Sequence, residues 1–402
     1  MRKKSLEDVK LDQSRVLMRV DFNVPLDGAG QVLDDRRIVM ALPSIRRVVE
    51  QGGSLVLMSH MGRPSGKGLE PEYSLKPAAD RLSELIGKKH KVVFAEDCAG
   101  PSAAAAVEAL KPGEILLLEN LRFHGEEKSN DSSFAAALAC HGDVYVNDAF
   151  GTAHRDHASM VGVPEAMTSR PRVAGLLMMK ELDYLSTAIE EAKAPFFAVL
   201  GGAKVSDKLG AIRHLMAHVD VILVGGAMAY TFMKAQGQAV GNSLVEEEML
   251  ETAAALLKQA VQTNTVIKLP TDHRCAASIS DTTHVRTCEF GIPPELMGLD
   301  IGPETASDWK AEISKARTVV WNGPLGVFET PPFHEGSLAV AEGIAKATHH
   351  RAISIVGGGE TAAAIEQFGL AGKMSHVSTG GGASLAMLEG RSFRSVELLD
   401  DA

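Results

Sequence analysis

Cysteine is scarce: four in 402 residues, at 98, 140, 275 and 288, with no two in C-x-x-C spacing. That pattern suggests neither a zinc site nor a redox pair, and reduced, partly buried thiols that serve packing are expected. No run approaches the ~18 consecutive apolar residues of a membrane span, and the basic start MRKKSLEDVKLDQS has no apolar segment behind it. A cytoplasmic chain is expected, neither exported nor membrane-bound. Positive charge is in deficit as well. A net charge of −10 argues against general affinity for nucleic acid or anionic membrane. An anionic small molecule would need a local cluster of arginines working against that field. The usual nucleotide fingerprints are missing too: there is no G-x-x-x-x-G-K-[ST], no G-x-G-x-x-G opening a helix, and no H-R-D or D-F-G pair.

What is present is an ordinary globular balance, 45% apolar and 23% charged, in a chain long enough for two or three domains. In the first half, RVLMRVDFNVP, SLVLMSH, KVVFAEDC, EILLLENLRF and DVYVNDAFG alternate with helical patterns. Val- and Leu-rich strands separated by helices of about ten residues imply βαβ units and a parallel sheet covered on both faces. Ligands of such sheets sit beyond the carboxyl ends of the strands. Directly after the strands come Asp21 and Asn23, His60 and Arg63, Arg122, then Asn147 and Asp148 followed by His154, Arg155 and His157. Arg36 and Arg37 open the first helix. Several planar guanidinium forks on one rim suggest an oxyanion with more than one charge. The H-x-x-H at 154–157 has no accompanying Cys or Glu, so hydrogen bonding to an anion or a structural role is expected of these histidines rather than metal ligation.

The stretch between Pro171 and Pro195 reads as a connecting helix. Met178, Leu182, Leu185 and Ile189 fall on one face, while Lys180, Glu181, Asp183 and Glu190 point elsewhere. In the second half FFAVLGG, DVILVGG, TVIKLPTD, TVVWNGPLG, AISIVGGGE and HVSTGGG read as a second parallel sheet whose strands run into glycine. Glycine turns leading into helices aim N–H groups at phosphate, and several in one sheet favour a nucleotide. Lys204 and Lys208, four apart after Gly201 and Gly202, are expected on one helix facing that rim. Glu360, at the next helix start, could cap the helix or meet a magnesium ion.

Together RVDFNVP (19–25), SHMGRP (59–64), LENLRF (118–123), NDAFGTAHRDHAS (147–159), GGAKVSDK (201–208), WNGPLGVFE (321–329), GGGET (357–361) and STGGGASL (378–385) resemble the phosphoglycerate kinase family, in its order and over nearly the whole chain. The resemblance implies an α/β fold of two Rossmann-like domains, each a parallel sheet with helices on both faces, joined by a central helix and hinge. The N-terminal domain, 1–172, would bind 3-phosphoglycerate or 1,3-bisphosphoglycerate. Residues 173–194 would form the interdomain helix, 195–389 the domain for ADP or ATP with Mg²⁺, and 390–402 a tail packing back on the first domain. Transferred by motif, Asp21, Phe22, Asn23, Arg37, His60, Met61, Gly62, Arg63, Arg122 and Arg155 hold the acid. Lys204, Lys208, Gly298, Asn322, Glu329, Gly357, Gly358, Gly359, Glu360 and Thr361 meet the nucleotide, with Arg37 and Lys204 catalytic. Glu360 stands where the family usually has a magnesium-binding Asp, and Ala386 where Glu is common. A monomeric enzyme is implied, transferring a phosphoryl group in line after domain closure. No general base is needed, because the acceptor carboxylate, with a pKa near ~4, is already ionised.

Overall fold

Short runs of Val, Ile and Leu that are apolar on both faces can only be strands buried between layers, and in both halves of the chain they are. The computed structural model describes residues 2–402, apart from the side chains of residues 187, 188 and 190. The described chain divides into two units: Met1–Leu182 together with Ser392–Ala402, and Asp183–Arg391.

In the first unit β1 (Arg15–Arg19), β2 (Ser54–Met58), β3 (Val92–Phe94), β4 (Ile115–Leu117), β5 (Val144–Asn147) and β6 (Arg172–Ala174) form one parallel sheet in the order β3-β4-β2-β1-β5-β6. Register brings the strand ends level. Arg19 lies opposite Met58 on β2 and Asn147 on β5, and Leu57 lies opposite Leu117 on β4. The residues leaving these strands, Asp21, His60, Asn120 and Asp148, therefore emerge at one edge of the sheet. The Ser392–Ala402 tail is bound to this unit: Lys4 N donates to Asp400 O at 2.8 Å, Arg172 pairs with Asp400 at 2.8 Å, and Ser395 Oγ donates to Ala153 O at 2.7 Å.

Strand β6 was not legible in the sequence, where the region after Pro171 reads as helix. Three residues are too few to show a period, and the helix begins only at Leu176, running to Glu190. Its start is held by the buried Asp148, whose Oδ1 accepts from Leu177 N at 2.9 Å and Met178 N at 3.1 Å, while Ser44 Oγ accepts from Leu176 N at 2.9 Å. Met178 and Leu185 are buried as the spacing predicts, but so is Glu181. The side chain of Glu190 lies outside the described residues.

Burial pushes the Asp148 carboxyl up to about 6, against the opposing pull of Ser44 and the N–H groups of Met178 and Leu177. The unfolded carboxyl titrates near ~3.9, so the native state holds the extra proton between those values. Stability from this group is complete below about pH 4 and is lost as pH rises through about 6, amounting to about 2–3 kcal/mol. Asp148→Asn is expected to remove that component, read as the pH dependence of the urea midpoint in wild type minus that in the variant. An unchanged difference across pH 4–6 would refute it.

In the second unit β7 (Phe196–Leu200), β8 (Val221–Val224), β9 (Val266–Lys268), β13 (Thr318–Asn322), β14 (Ile353–Gly357) and β15 (His376–Val377) are again parallel, in the order β15-β14-β13-β7-β8-β9. Asn322 lies opposite both Leu200 and Gly357, and Leu200 opposite Val224, so the glycines after these strands leave at one edge. Between β9 and β13 stands a structure the sequence did not suggest: β10 (His273–Ala276), β11 (Arg286–Cys288) and β12 (Met297–Ile301) form an antiparallel sheet in the order β11-β10-β12. HRCA and RTC are short and open on polar residues, exposed in RTC and buried or half-buried in HRCA, so they show no apolar run. No helix among the described residues is long and apolar enough to cross a membrane.

Candidate active site

At the strand-end edge of the first unit the loops that carry Phe22, Asn23, Met61, Gly62 and Arg122 meet. Phe22 N donates to Ser59 Oγ at 2.8 Å, and Asn23 Oδ1 accepts from Gly62 N at 2.8 Å, tying the loop after β1 to the loop after β2. Asn120 reaches across from β4: its Oδ1 accepts from Met61 N at 3.2 Å and Arg122 N at 3.0 Å. Gly62 is at φ +59, and a Cβ there would sit 2.2 Å from the Tyr73 ring, so a side chain at 62 would force the loop away.

Of the tandem arginines, Arg36 is held by Asp34 at 2.6 Å, whereas Arg37 Nη1 pairs with Asp21 Oδ2 at 2.9 Å. Arg37 is thus the one directed to the rim. Arg122 Nη1 donates to Gly62 O at 2.6 Å. Arg63 is exposed one residue further along that loop.

The electrostatics point to a cationic cluster. His60 is buried, and burial together with the nearby guanidiniums of Arg19, Arg122, Arg155 and Arg37 holds its pKa well below the usual value. Burial and repulsion from Arg155 and Arg19 lower Arg122 to about 10. Burial, then Arg122, Arg19 and Arg155, take His157 down to about 3. Both imidazoles are neutral at neutral pH, acting as hydrogen-bonding partners and not as charges. A bound dianion should reverse this. An anion of more than one charge bound here is expected to raise the His157 pKa, seen as a shift of its imidazole NMR titration to higher pH; no movement at a saturating concentration of such an anion would place its binding elsewhere.

At the corresponding edge of the second unit, Gly201, Gly226 and Gly323 pack on one another's backbones: a Cβ on Gly201 would lie 2.1 Å from Pro324 O, and one on Gly226 2.6 Å from Gly202 N. Those glycines serve close packing. Gly358 differs. It is at φ +93 and precedes the helix Gly359–Gln367, whose first turn carries no side-chain cap, and Gly359 has open space where a side chain would stand. Uncapped N–H groups at a glycine turn suit phosphate. Asn322, buried beside them, accepts from the Lys208 ammonium through Oδ1, while its Nδ2 has no partner. Thr361 Oγ1 accepts from Gly323 N at 2.7 Å, fixing the helix start against β13.

The helix expected to carry both lysines begins only at Leu209, after the 3₁₀ turn Ser206–Lys208. Lys204 lies in the loop before it, exposed, so the four-residue spacing does not stack the two ammonium groups. The cause is local: Glu246 draws the loop in, accepting from Val205 N at 2.5 Å and Ser206 Oγ at 2.6 Å. Gly298 lies on β12, its N donating to Ser243 Oγ at 2.9 Å, and a Cβ there would be 2.0 Å from Tyr230 Oη. Glu329 and Glu360 are exposed, Glu360 in the first turn of the phosphate-type helix. Ala386 is buried in the helix Gly381–Leu388.

A family model described as phosphoglycerate kinase matches residues 6–391. The chain belongs to the phosphoglycerate kinase family. A phosphoglycerate kinase of Rhodopirellula baltica is 51% identical over 405 residues, and one of Chlorobaculum tepidum 52% identical over 402, each match covering 100% of both chains. The phosphoglycerate kinase structure from Coxiella burnetii superposes with a TM-score of 0.87 at 37% identity, covering 98% of each chain. The α/β fold with two parallel sheets is therefore the family's, and the chain is a phosphotransferase with a carboxyl acceptor, a glycolytic activity that uses a nucleotide.

Within the phosphoglycerate kinase frame, two residues escaped the reading of the sequence. Arg19, fully buried at the end of β1, donates through Nε to Ser159 Oγ at 2.8 Å, faces His60 Nδ1 at 3.1 Å and bonds Val20 O. Glu127, equally buried, accepts from Ser159 N at 2.9 Å and Ser159 Oγ at 2.7 Å. The available signal was an arginine inside an otherwise apolar strand, which demands a buried carboxylate partner.

The donor chemistry fits Mg²⁺ held chiefly by nucleotide phosphates. Glu360 offers a hard carboxylate oxygen near enough to act on the Lys208 ammonium, and the orphaned Asn322 Nδ2 faces Gly357 and Gly358 with no acceptor of its own.

Proposed function

We propose that the chain interconverts 1,3-bisphosphoglycerate plus ADP with 3-phosphoglycerate plus ATP, the acid on the first unit and the nucleotide on the second. The observation that carries the reading is the gathering of arginines about His60: Arg19 Nη2 stands 3.1 Å from its Nδ1, Arg37 and His60 both face Asp21, and Arg122 donates to Gly62 O in the same loop. So much cationic charge, with Asp21 and Glu127 as the opposing carboxylates, calls for an anion of more than one charge.

Asp21, Phe22, Asn23, His60, Met61, Gly62, Arg63, Arg122 and Arg155 orient the acid so that its ionised carboxylate faces the nucleotide. Proton removal is unnecessary, and the residues act by positioning and by stabilising charge. Arg37, Lys204 and the N–H groups at Gly358–Thr361 stabilise the phosphoryl group during in-line transfer. Lys208 and Asn322 hold the nucleotide phosphates, Glu329 the ribose, and Gly298 lines the base. Mg²⁺, when bound with Glu360 as ligand, neutralises nucleotide charge.

Because each unit carries one substrate, transfer requires them to meet and exclude water, which would otherwise take the phosphoryl group. Small-angle scattering with both ligands is expected to show compaction that neither ligand produces alone. We further propose a cytoplasmic monomer, to be checked by sedimentation against the 42.7 kDa chain mass. The deciding experiment is a coupled assay: ATP-dependent consumption of 3-phosphoglycerate supports the reading, and its absence with correctly folded protein overturns it.

A further inference from the structure

Away from the phosphotransfer residues, the loops after β3 and β4 bring together an oxygen, a sulfur and a nitrogen donor from segments distant in sequence. Asp97 and Cys98 follow β3, and His124 ends the 3₁₀ turn Leu121–Phe123 that carries Arg122. Their ligand atoms all lie within 4.8 Å of one another. Asp97 Oδ1 meets His124 Nε2 at 2.8 Å and accepts from Cys98 N at 2.7 Å. The His124 ring is fixed by stacking on Phe134, centroids 5.2 Å apart. Cys98 is buried, while Asp97 and His124 are each partly open to solvent.

We propose that Asp97, Cys98 and His124 bind one divalent transition-metal ion, Zn²⁺ being the ion that a mixed sulfur, nitrogen and oxygen set suits best. Tetrahedral bonds of about 2.0–2.3 Å place donors roughly 3.3–3.8 Å apart, so the trio needs to shift by about an ångström or less. The open side of Asp97 and His124 leaves the fourth position to water. His124 offers Nε2 in the tautomer with its proton on Nδ1. Cys98 loses its proton to solvent as the metal–sulfur bond forms, one proton for each ion bound. Without a cation that ionisation is strongly opposed: burial, then the charges of Asp97 and Glu127, hold the thiol well above its usual pKa. The same negative surroundings attract a cation. An ion here would brace the turn that presents Arg122.

The test uses the full chain with Cys140→Ser, which removes the exposed thiol, in excess Mg²⁺ to occupy the nucleotide-side metal position. Titration with Co²⁺ as spectroscopic probe is expected to give a thiolate-to-cobalt charge-transfer band saturating at one equivalent. Zn²⁺ should displace the Co²⁺ and its band without further proton release, whereas Zn²⁺ added to the metal-free protein should release one proton for each ion bound and raise the melting midpoint, reversibly on chelation. Cys98→Ala should abolish the band. Asp97→Asn and His124→Gln, at partly exposed positions that spare the fold, should each weaken binding at least tenfold. No charge-transfer band at stoichiometric Co²⁺, persistence of the band in Cys98→Ala, or unchanged affinity in His124→Gln would overturn the proposal. None of these readouts depends on phosphotransfer.

Discussion

Arg37→Ala is expected to lower kcat by about 10³-fold or more, the scale at which an arginine acts on a moving phosphoryl group, while leaving nucleotide affinity nearly unchanged. The reason is placement. Arg37 opens the helix Arg36–Glu50 and spans to Asp21 at 2.9 Å, at the strand-end rim of the first unit. Its guanidinium is only partly buried, so its removal leaves no large cavity and the fold should persist. Charge that develops in transfer then loses a planar, bidentate partner. Arg37→Lys restores the charge but not the fork and should recover only part of the rate. Steady-state kinetics with both substrates saturating, set beside equilibrium titration of ADP, separates the two effects. Turnover within tenfold of wild type would remove Arg37 from the reaction centre, and an equal loss in Arg36→Ala would point to bulk charge.

Arg19→Leu is expected to destabilise the first unit by about 3–5 kcal/mol, the usual cost of stripping one partner from a buried charge pair. Arg19 and Glu127 are both fully buried and meet through Ser159, so the leucine strands a carboxylate that burial does not tolerate alone. Double substitution, Arg19→Leu with Glu127→Leu, should recover much of the loss because no unpaired charge remains. A cycle with no coupling between the two positions would contradict the network. The single variant has a second consequence: with one repelling guanidinium gone, the His60 pKa should rise. The urea midpoint of the first unit and the imidazole titration of His60 read the two effects separately.

Much of the architecture was open to sequence reading because parallel strands buried on both faces announce themselves as apolar runs. The strands of the two main sheets illustrate the boundary: VLM, LVL, VILV and TVVWN are plain, whereas RVA at β6 is too short to show a period. The antiparallel strands β10 to β12 escaped for a related reason, since they are short and polar residues such as His273, Arg274, Arg286 and Asp300 interrupt them, buried or half-buried in β10 and β12 and exposed in β11. Spacing also misled. Lys204 and Lys208 suggested a shared helix face, but Glu246, distant along the chain, holds the intervening backbone in a loop. Glu181 reads as a solvent-facing residue of an amphipathic helix, yet it is buried, because the helix is covered on more than its apolar stripe.

The amino-acid order by itself determined the fold class, the alternation of strand and helix, and the inventory of arginines after one set of strands and glycines after the other, since these are properties of neighbours along the chain. Tertiary structure alone decided which of Arg36 and Arg37 meets Asp21, that Arg19 and Glu127 share one interior, that Gly201 is packing while Gly359 has open space where a side chain would stand, and that Asp97, Cys98 and His124 converge. Local periodicity carries the direction of each side chain from its own element. It carries nothing about partners that meet only when strands distant in sequence lie side by side.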